Sequence, residues 1–154
     1  MTSKTLSDGP WHERYPLHHG ARTGDMKLVR LYVEVKNFAT DEADGEFLKT
    51  PLMFACLHRQ FEVAAYLLQR PDVHIGKATS ELWTPLMMSV REGDFDTVQL
   101  LLEGPQGSHV EINGANHLGQ TALHVGVQFC PLPMRLDVVR LLLAHGANPN
   151  QRDG

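Results

Sequence analysis

Hydrophobic residues cluster in four pairs of short segments, and polar connections separate each pair from the next. The first segment of each pair is a tetrapeptide of related sequence, found at residues 15–18, 50–53, 84–87 and 121–124. The second is a longer apolar run, found at residues 28–33, 63–68, 97–102 and 138–143. Within these runs apolar residues stand at i, i+3 and i+4, the spacing that gives a helix one buried face. The pattern therefore predicts four helix–turn–helix units.

The four tetrapeptides recur about every 35 residues, which is the sequence signature of a stacked repeat protein. In three units a Thr can accept a hydrogen bond from the first turn, and Pro51 and Pro85 occupy the first helical position, where no N–H is required. Tyr15 replaces the Thr in the first unit, so we expect weaker capping there. Gly24 and Gly93 predict the ends of two first helices, because glycine adopts positive φ without a Cβ clash.

The fourth unit carries the fullest pattern, with Thr121-Ala122-Leu123-His124 followed by Asp137-Val138-Val139-Arg140-Leu141-Leu142-Leu143-Ala144-His145-Gly146-Ala147-Asn148-Pro149-Asn150. Together with the other units, this pattern resembles the ankyrin repeat over residues 11–154. The resemblance implies an all-α fold, a solenoid of four helix–turn–helix units with projecting β-hairpin finger loops. It also implies that the fingertips and the exposed face of the first helices bind protein partners.

The repeat boundaries predict a flexible segment at residues 1–10 and an ankyrin-repeat domain at residues 11–154. The expected units lie at residues 11–43, 44–78, 79–115 and 116–150, and residues 151–154 would begin a further repeat. We expect the solenoid to be uncapped at its C-terminus, since Leu141, Leu142 and Leu143 belong to an ordinary internal unit. The chain would then be a fragment of a longer ankyrin protein, and its last unit could self-associate through exposed apolar surface.

Two segments depart from the repeat. The connection at residues 35–47 is long, and its acidic stretch Asp41-Glu42-Ala43-Asp44 could attract a basic segment of a partner. Residues 128–136 contain a four-residue insertion with Pro131 and Pro133, which we expect to interrupt helix geometry. Cys130 lies in this insertion and is a candidate for an exposed thiol.

Composition and charge limit the classes of function that fit. The chain has 154 residues with 42% hydrophobic and 21% charged, which suits one globular domain. Its net charge of −4 argues against nucleic-acid binding, and no apolar stretch approaches the roughly 18 residues that membrane insertion requires. Only two cysteines occur, and their separation in sequence suits neither a disulfide framework nor a metal site. We therefore expect an intracellular, cytoplasmic protein, with the nucleus as an open alternative.

Candidate catalytic and metal-binding chemistry is sparse, although the chain has nine histidines. His18 and His19 are adjacent, so on a helix they point about 100° apart and share an ion poorly. In the ankyrin family the histidine at the position of His18 and His124 braces a turn through hydrogen bonds. Cys56 falls on the small-residue face of a first helix, where a buried, unreactive thiol is expected. No motif for a nucleophile, a zinc enzyme or a phosphate loop occurs, so we predict no enzyme activity, cofactor or metal.

Large and charged side chains fall where the ankyrin layout places fingers and the exposed ends of first helices, and such side chains are typical of protein interfaces. The candidate finger residues are Trp11, His12, Arg14, Glu46, Phe47, Lys49, Glu81, Trp83, His117, Leu118 and Gln120. The candidates at the ends of first helices are Arg22, Leu57, His58, Arg91, Glu92, Gln128 and Phe129. A Trp just before a helix can also pack on the next finger, so both readings stay open for Trp83.

These residues predict a non-catalytic module that binds a protein or peptide partner through its concave face. Their mixed charge suits a partner with patches of both signs, or a peptide with one anchored Arg or Asp. One alternative is the substrate-recognition or regulatory arm of a larger protein, such as a ubiquitin ligase adaptor. Direct binding of nucleic acid or a small molecule is a further alternative, which the net charge disfavours for nucleic acid.

Overall fold

The computed structural model describes residues 10–152. Nine of the ten residues expected to be flexible, and the last two residues of the expected further repeat, lie outside this range. The described helices are α1 Trp11–Arg14, α2 Pro16–Thr23, α3 Met26–Arg30, α4 Pro51–Leu57, α5 Phe61–Leu68, α6 Pro85–Glu92, α7 Phe95–Glu103, α8 Ala122–Phe129 and α9 Leu132–Ala144. A π-helical turn, Leu31–Val35, continues α3, and a 3₁₀ turn, Gly107–His109, follows α7.

The helices stack in two layers. In the inner layer α2, α4, α6 and α8 contact one another in sequence order, and in the outer layer α3, α5, α7 and α9 do the same. Each inner helix also packs on the outer helix that follows it after a short turn. This is the predicted solenoid of four helix–turn–helix units, and the structure confirms it.

The core lies between the two layers and between successive units. Leu17, Leu52 and Met87 of the inner helices and Val98 and Leu142 of the outer helices are almost completely buried. Burying one such side chain contributes roughly 1.5–3 kcal/mol relative to leaving it exposed. Because helices of successive units contact one another in both layers, the stacked units stabilise one another.

The inner helices begin where the tetrapeptides predict. The Thr84 Oγ1 accepts a hydrogen bond from the Met87 N–H at 3.3 Å, and Thr50 caps α4 in the same way. Tyr15 makes no side-chain cap, as expected, and the short helix α1 stands directly before it. Two outer helices have caps that the sequence analysis missed, since Asp25 and Asp94 accept hydrogen bonds from the first turns of α3 and α7.

Three tight hairpin loops project from the inner layer. We call them finger 1 (residues 44–49), finger 2 (residues 79–83) and finger 3 (residues 116–120). A backbone hydrogen bond of 2.8–3.0 Å joins the first residue of each finger to the last. Within residues 10–152 no extended strand forms, and a single bridge between Ala115 and Thr121 stands for the expected β-hairpins. The finger loops are therefore hairpin turns.

A side-chain oxygen holds each finger from inside. The Asp44 Oδ1 accepts the N–H groups of Phe47 and Lys49, and the Thr79 Oγ1 accepts that of Trp83. Asn116 does the same in finger 3. Such local hydrogen bonds favour one turn conformation over an open loop.

The acidic connection is mostly used within the chain. Asp41 is buried, and its Oδ2 lies 2.7 Å from both the His74 Nδ1 and the Lys77 Nζ. Asp44 is buried inside finger 1, so of the three acidic residues only Glu42 is exposed. This engagement weakens the prediction that the stretch attracts a basic segment of a partner.

The insertion in the fourth unit does not interrupt a helix, so that prediction is wrong. Pro131 precedes α9 and Pro133 stands in its first turn, where a missing N–H costs no hydrogen bond. The inserted residues instead lengthen α9 to 13 residues, against 9 in α7.

The turn between inner and outer helices has a left-handed residue in three units. Gly24 and Gly93 have φ of 75° and 65°, which confirms their prediction as helix ends, and Arg59 occupies the same position with φ of 56°. A Cβ on Gly93 would lie 2.8 Å from the Pro131 Cδ. Arg59 is exposed, so its strained backbone has no compensating buried contact of its side chain.

Replacing Gly93 and Arg59 should change the free energy of unfolding in opposite directions. We expect Gly93→Ala to lower the free energy of unfolding by about 1–2 kcal/mol, through positive φ and the contact with Pro131. Arg59→Gly should raise it by about 0.5–1 kcal/mol, because glycine relieves the strain. Urea unfolding of the two variants beside the wild type measures both effects. A destabilised Arg59→Gly would show that the arginine side chain outweighs its backbone strain.

Candidate binding cleft

A cleft of about 230 Å³ opens between fingers 1 and 2, above α4 and α6. We call it the concave cleft and define it by its lining residues, Phe47, Lys49, Leu57, Thr79, Ser80, Glu81, Trp83, Met88 and Arg91. Fingers 1 and 2 supply its walls, and its floor consists of Leu57 and Met88 of the inner helices with Trp83 at the end of finger 2. The cleft is thus formed by two neighbouring repeat units, and stacking places its two sides.

The floor of the cleft is apolar. Met88 is 4% exposed, and Leu57 and Trp83 are half-buried. Phe47 stands on finger 1 with 49% of its surface exposed. Since a fully folded domain normally covers most of its large aromatic surface, this set of side chains offers a contact for another molecule.

Two cations lie against the aromatic walls. The Lys49 Nζ is 4.4 Å from the centre of the Phe47 ring and 5.8 Å from that of Phe54. The Arg91 guanidinium carbon is 5.8 Å from the centre of the Trp83 ring. A cation over a ring face contributes roughly 0.5–1 kcal/mol at an exposed site and restricts the long side chain. Both positive charges are therefore held beside the apolar floor.

The fingers are joined to one another by backbone hydrogen bonds. The Ser80 N–H donates to the Phe47 carbonyl at 3.1 Å, which joins finger 2 to finger 1. The His117 N–H donates to the Glu81 carbonyl at 3.3 Å, which joins finger 3 to finger 2. These bonds keep the walls at a defined separation without a ligand.

An aromatic cluster joins α1, α2 and α4 at the N-terminal end of the inner layer. The ring centre of Trp11 is 5.2 Å from that of Phe54, and His18 packs edge-on against both rings. The His18 Nε2 lies 2.9 Å from the Glu42 carbonyl, and burial lowers the pKa of His18. His58 stacks on Phe54, and its pKa is lowered by burial and by the charge of Arg22.

Three candidate finger residues lie elsewhere than the sequence predicts. Trp11, His12 and Arg14 are on helix α1 and not on a finger. The chain before Tyr15 forms this short helix because Pro10 precedes it and Trp11 can pack on Phe54. Trp11 is thus partly buried against the inner layer, whereas His12 and Arg14 are exposed.

The structure brings six of the predicted residues together in the concave cleft. They are Phe47, Lys49, Leu57, Glu81, Trp83 and Arg91. Glu46 of finger 1, His58 at the end of α4 and Glu92 of α6 lie beside it, and Arg22 lies on α2 of the adjoining unit. All except the half-buried Glu92 are exposed. Sequence reasoning missed Met88, Thr79 and Ser80. The register of the repeat provides no signal for Met88, because it matches Phe54 of the preceding unit, which does not line the cleft.

The candidates of the fourth unit lie outside the concave cleft. His117, Leu118, Gln128 and Phe129 are exposed. Gln120 is buried, and its side chain bridges Asn116 and the Gln128 Oε1, with 2.9 Å to the latter. Gln120 therefore holds finger 3 against α8 and does not face solvent.

Comparison with known proteins agrees with this architecture. A family model described as ankyrin repeats, in three copies, matches residues 70–153, and one described as a single ankyrin repeat matches residues 47–77. The chain belongs to the ankyrin-repeat family. Ankyrin repeats generally mediate protein–protein interaction and are generally not enzymes.

Two curated relatives of this ankyrin-repeat chain are much longer proteins. The chain is 24% identical to the phosphate system positive regulatory protein PHO81 of Saccharomyces cerevisiae, over 98% of its own length and 15% of that protein. It is 38% identical to the human NF-kappa-B inhibitor delta, over 56% of its own length and 28% of that protein. The chain therefore matches only a minor part of each relative.

The part of the ankyrin domain that the structure describes gives no support for a metal site or a membrane-spanning helix. Residues 10–152 contain no group of three or more His, Cys, Asp or Glu side chains able to hold a metal ion. No helix in the same range is long and apolar enough to cross a bilayer. The site is therefore described by its protein side chains alone.

Both cysteines of the ankyrin domain are free and buried. Cys56 agrees with the prediction, and burial raises its pKa to about 12. The prediction of an exposed Cys130 is wrong, because its side chain is completely buried at the turn between α8 and α9. The Arg135 Nε donates to the Cys130 carbonyl at 2.9 Å and holds this turn, and burial raises the pKa of the Cys130 thiol.

We expect both thiols to resist alkylation in the folded protein. Iodoacetamide reacts with the thiolate, which burial disfavours at both positions, and the reagent has no access to either sulfur. Mass spectrometry should find both cysteines unmodified in native buffer and both modified in guanidinium chloride. Modification of Cys130 alone in native buffer would show that the turn before α9 opens.

Proposed function

We propose that this chain is a non-catalytic interaction module that binds a protein or peptide partner through the concave cleft. The observation that carries the proposal is the pair of aromatic side chains, Phe47 and Trp83, each incompletely buried beside a cation. Aromatic and Arg side chains around an apolar floor are the usual anchors of protein interfaces.

The connected fingers support this proposal. Since Ser80 is hydrogen-bonded to finger 1 and Asp44 and Thr79 hold their own fingers, binding need not order these loops. The partner then loses less affinity to conformational entropy than it would on a flexible surface. The volume of the cleft, about 230 Å³, lies below the roughly 300 Å³ at which pockets for drug-sized ligands begin. It therefore suits one anchoring side chain of a protein better than a separate small molecule.

A regulatory arm of a larger protein is a second candidate. Its support is that both curated relatives are far longer than this chain and are named as a positive regulator and an inhibitor. In such a protein the cleft would hold a target or a neighbouring domain while another part acts. Nothing in the cleft favours a ubiquitin ligase over any other kind of larger protein.

The remaining expectations stay predictions. Free cysteines suit a reducing, intracellular compartment. The net charge of −4 still opposes nucleic-acid binding.

Self-association through the last unit is a separate proposal. Val127 and Leu143 of this unit are exposed and line an apolar groove. Light scattering at several protein concentrations can test whether copies of the chain associate through this face.

Alanine variants in the cleft should weaken binding to peptides selected by the folded protein. The probe is a displayed library of random dodecapeptides, selected on the wild-type chain. We expect Trp83→Ala and Arg91→Ala each to reduce the affinity of selected peptides by about tenfold or more, because both remove part of the anchor site. Fluorescence anisotropy of labelled peptides measures the affinity.

A matched control is Phe61→Ala, which removes an exposed aromatic on the outer helix α5, outside the cleft. This variant should bind the peptides as the wild type does. Circular dichroism must show that all three variants remain folded. Because Arg91 is exposed, Arg91→Ala should fold normally, and it keeps the test usable if Trp83→Ala unfolds. If the selected peptides bind all three folded variants equally well, the concave cleft is not the binding site.

A further inference from the structure

Charge in the concave cleft is divided between its floor and its rim. Lys49 is the last residue of finger 1, two positions before α4, and Arg91 lies in the last turn of α6 with its guanidinium near the Trp83 ring. Glu81 is exposed at the tip of finger 2, between the closing residues Thr79 and Trp83. A segment that enters the cleft therefore meets two positive charges and one negative charge among the lining residues, with the carboxylates of Glu46 and Glu92 beside the cleft.

Within the part of the chain that the structure describes, these cations have no carboxylate partner. Between residues 10 and 152, the ion pairs within 4.0 Å join His74 and Lys77 to Asp41 and His145 to Glu103. Lys49 and Arg91 take part in none of them, and neither does Arg22 of the adjoining unit. A chain with more acidic than basic residues thus leaves the positive groups of its cleft available to another molecule.

The surroundings strengthen an ion pair at this place. Lys49 is half-buried against Phe47 and Phe54, and Arg91 lies over Trp83. Aromatic faces remove part of the water from the cations, and an incoming carboxylate then gains more than it would at a fully exposed lysine. A positively charged segment would instead be repelled by both groups at the floor.

The two cations stand at opposite ends of neighbouring inner helices. Lys49 precedes α4, and Arg91 lies in the last turn of α6. An extended segment that crosses the cleft from finger 1 towards the end of α6 therefore passes both. The apolar floor of Leu57, Met88 and Trp83 lies between the two positions.

We infer that the concave cleft binds an extended segment of a partner protein in which one apolar side chain is flanked by two carboxylates. The apolar side chain contacts the floor, and the carboxylates pair with Lys49 and Arg91. The inference rests on the proposed function and adds the chemistry of the partner to it. It also implies that Glu81 lowers the affinity for this segment, because its negative charge repels the carboxylates.

Reversing the charge of each cleft cation, and measuring how the selected peptides then bind, tests this partner chemistry. Peptides from the random library, selected on the wild-type chain, should be enriched in Asp and Glu on both sides of an apolar residue. Lys49→Glu and Arg91→Glu should each weaken their binding by at least about tenfold, or about 1.4 kcal/mol. Glu81→Gln, the matched change of a cleft charge, should strengthen binding a few-fold, because it removes a negative charge that opposes the carboxylates of the segment. Binding to the wild type should also weaken as salt is raised.

The outcomes separate this inference from the proposed function. Two results would contradict the partner chemistry but not the binding cleft. In one, the selected peptides depend on Trp83 and yet show no acidic enrichment, and in the other they bind Arg91→Glu normally. Peptides that are indifferent to Trp83 and Arg91, or a selection that yields none above an unfolded-protein control, contradict the cleft itself. A labelled single-stranded oligonucleotide that binds more tightly than the selected peptides, and competes with them, also overturns the inference. Thermal unfolding confirms that every variant is folded.

Discussion

Contact between successive units is the interaction on which the rest of the structure depends. A helix pair of this length cannot bury its apolar face alone, and Leu17, Leu52, Leu86 and Leu123 are covered only because the inner helices stack. The same stacking sets the positions of the fingers, since each finger leads directly into an inner helix. The concave cleft is therefore a consequence of core packing, although none of its walls belongs to the core.

Local rules explain why so much of the fold could be predicted. Thr50, Thr84 and Thr121 cap helices through short-range hydrogen bonds, and these depend on residues three positions away. Gly24 and Gly93 are equally local signals. Arg59 was not predicted as a helix end, because an arginine with positive φ carries no signal in the sequence and is held there by the flanking helices. Pro131 and Pro133 were misjudged for a related reason. A proline that breaks the interior of a helix also starts one well, and only the position of the helix decides between the two.

Part of the candidate site, like part of the fold, could be predicted from the repeat pattern. Repeat register placed Phe47, Lys49 and Trp83 on fingers, and the structure places all three around one cleft. Met88 was missed because it is itself a core residue, 4% exposed, and nothing in the sequence shows that it also lines the cleft. Gln120 was included because it follows a fingertip. Its bonds to Asn116 and Gln128 depend on the distance between finger 3 and α8, which no local pattern contains.

Backbone strain distinguishes the two fingers of the cleft from the third. The residue before the end of each finger has positive φ, at Leu48 (56°), Leu82 (60°) and Gly119 (74°). Glycine adopts this conformation freely, whereas a leucine there costs on the order of 1 kcal/mol or more. Leu48 and Leu82 also remain about half exposed, so burial does not offset the whole cost. Strained residues of this kind are common at binding sites, where a side chain is useful at a place that glycine would suit better. Both leucines stand directly before Lys49 and Trp83, so among the three fingers the strain lies in the two that form the walls of the cleft.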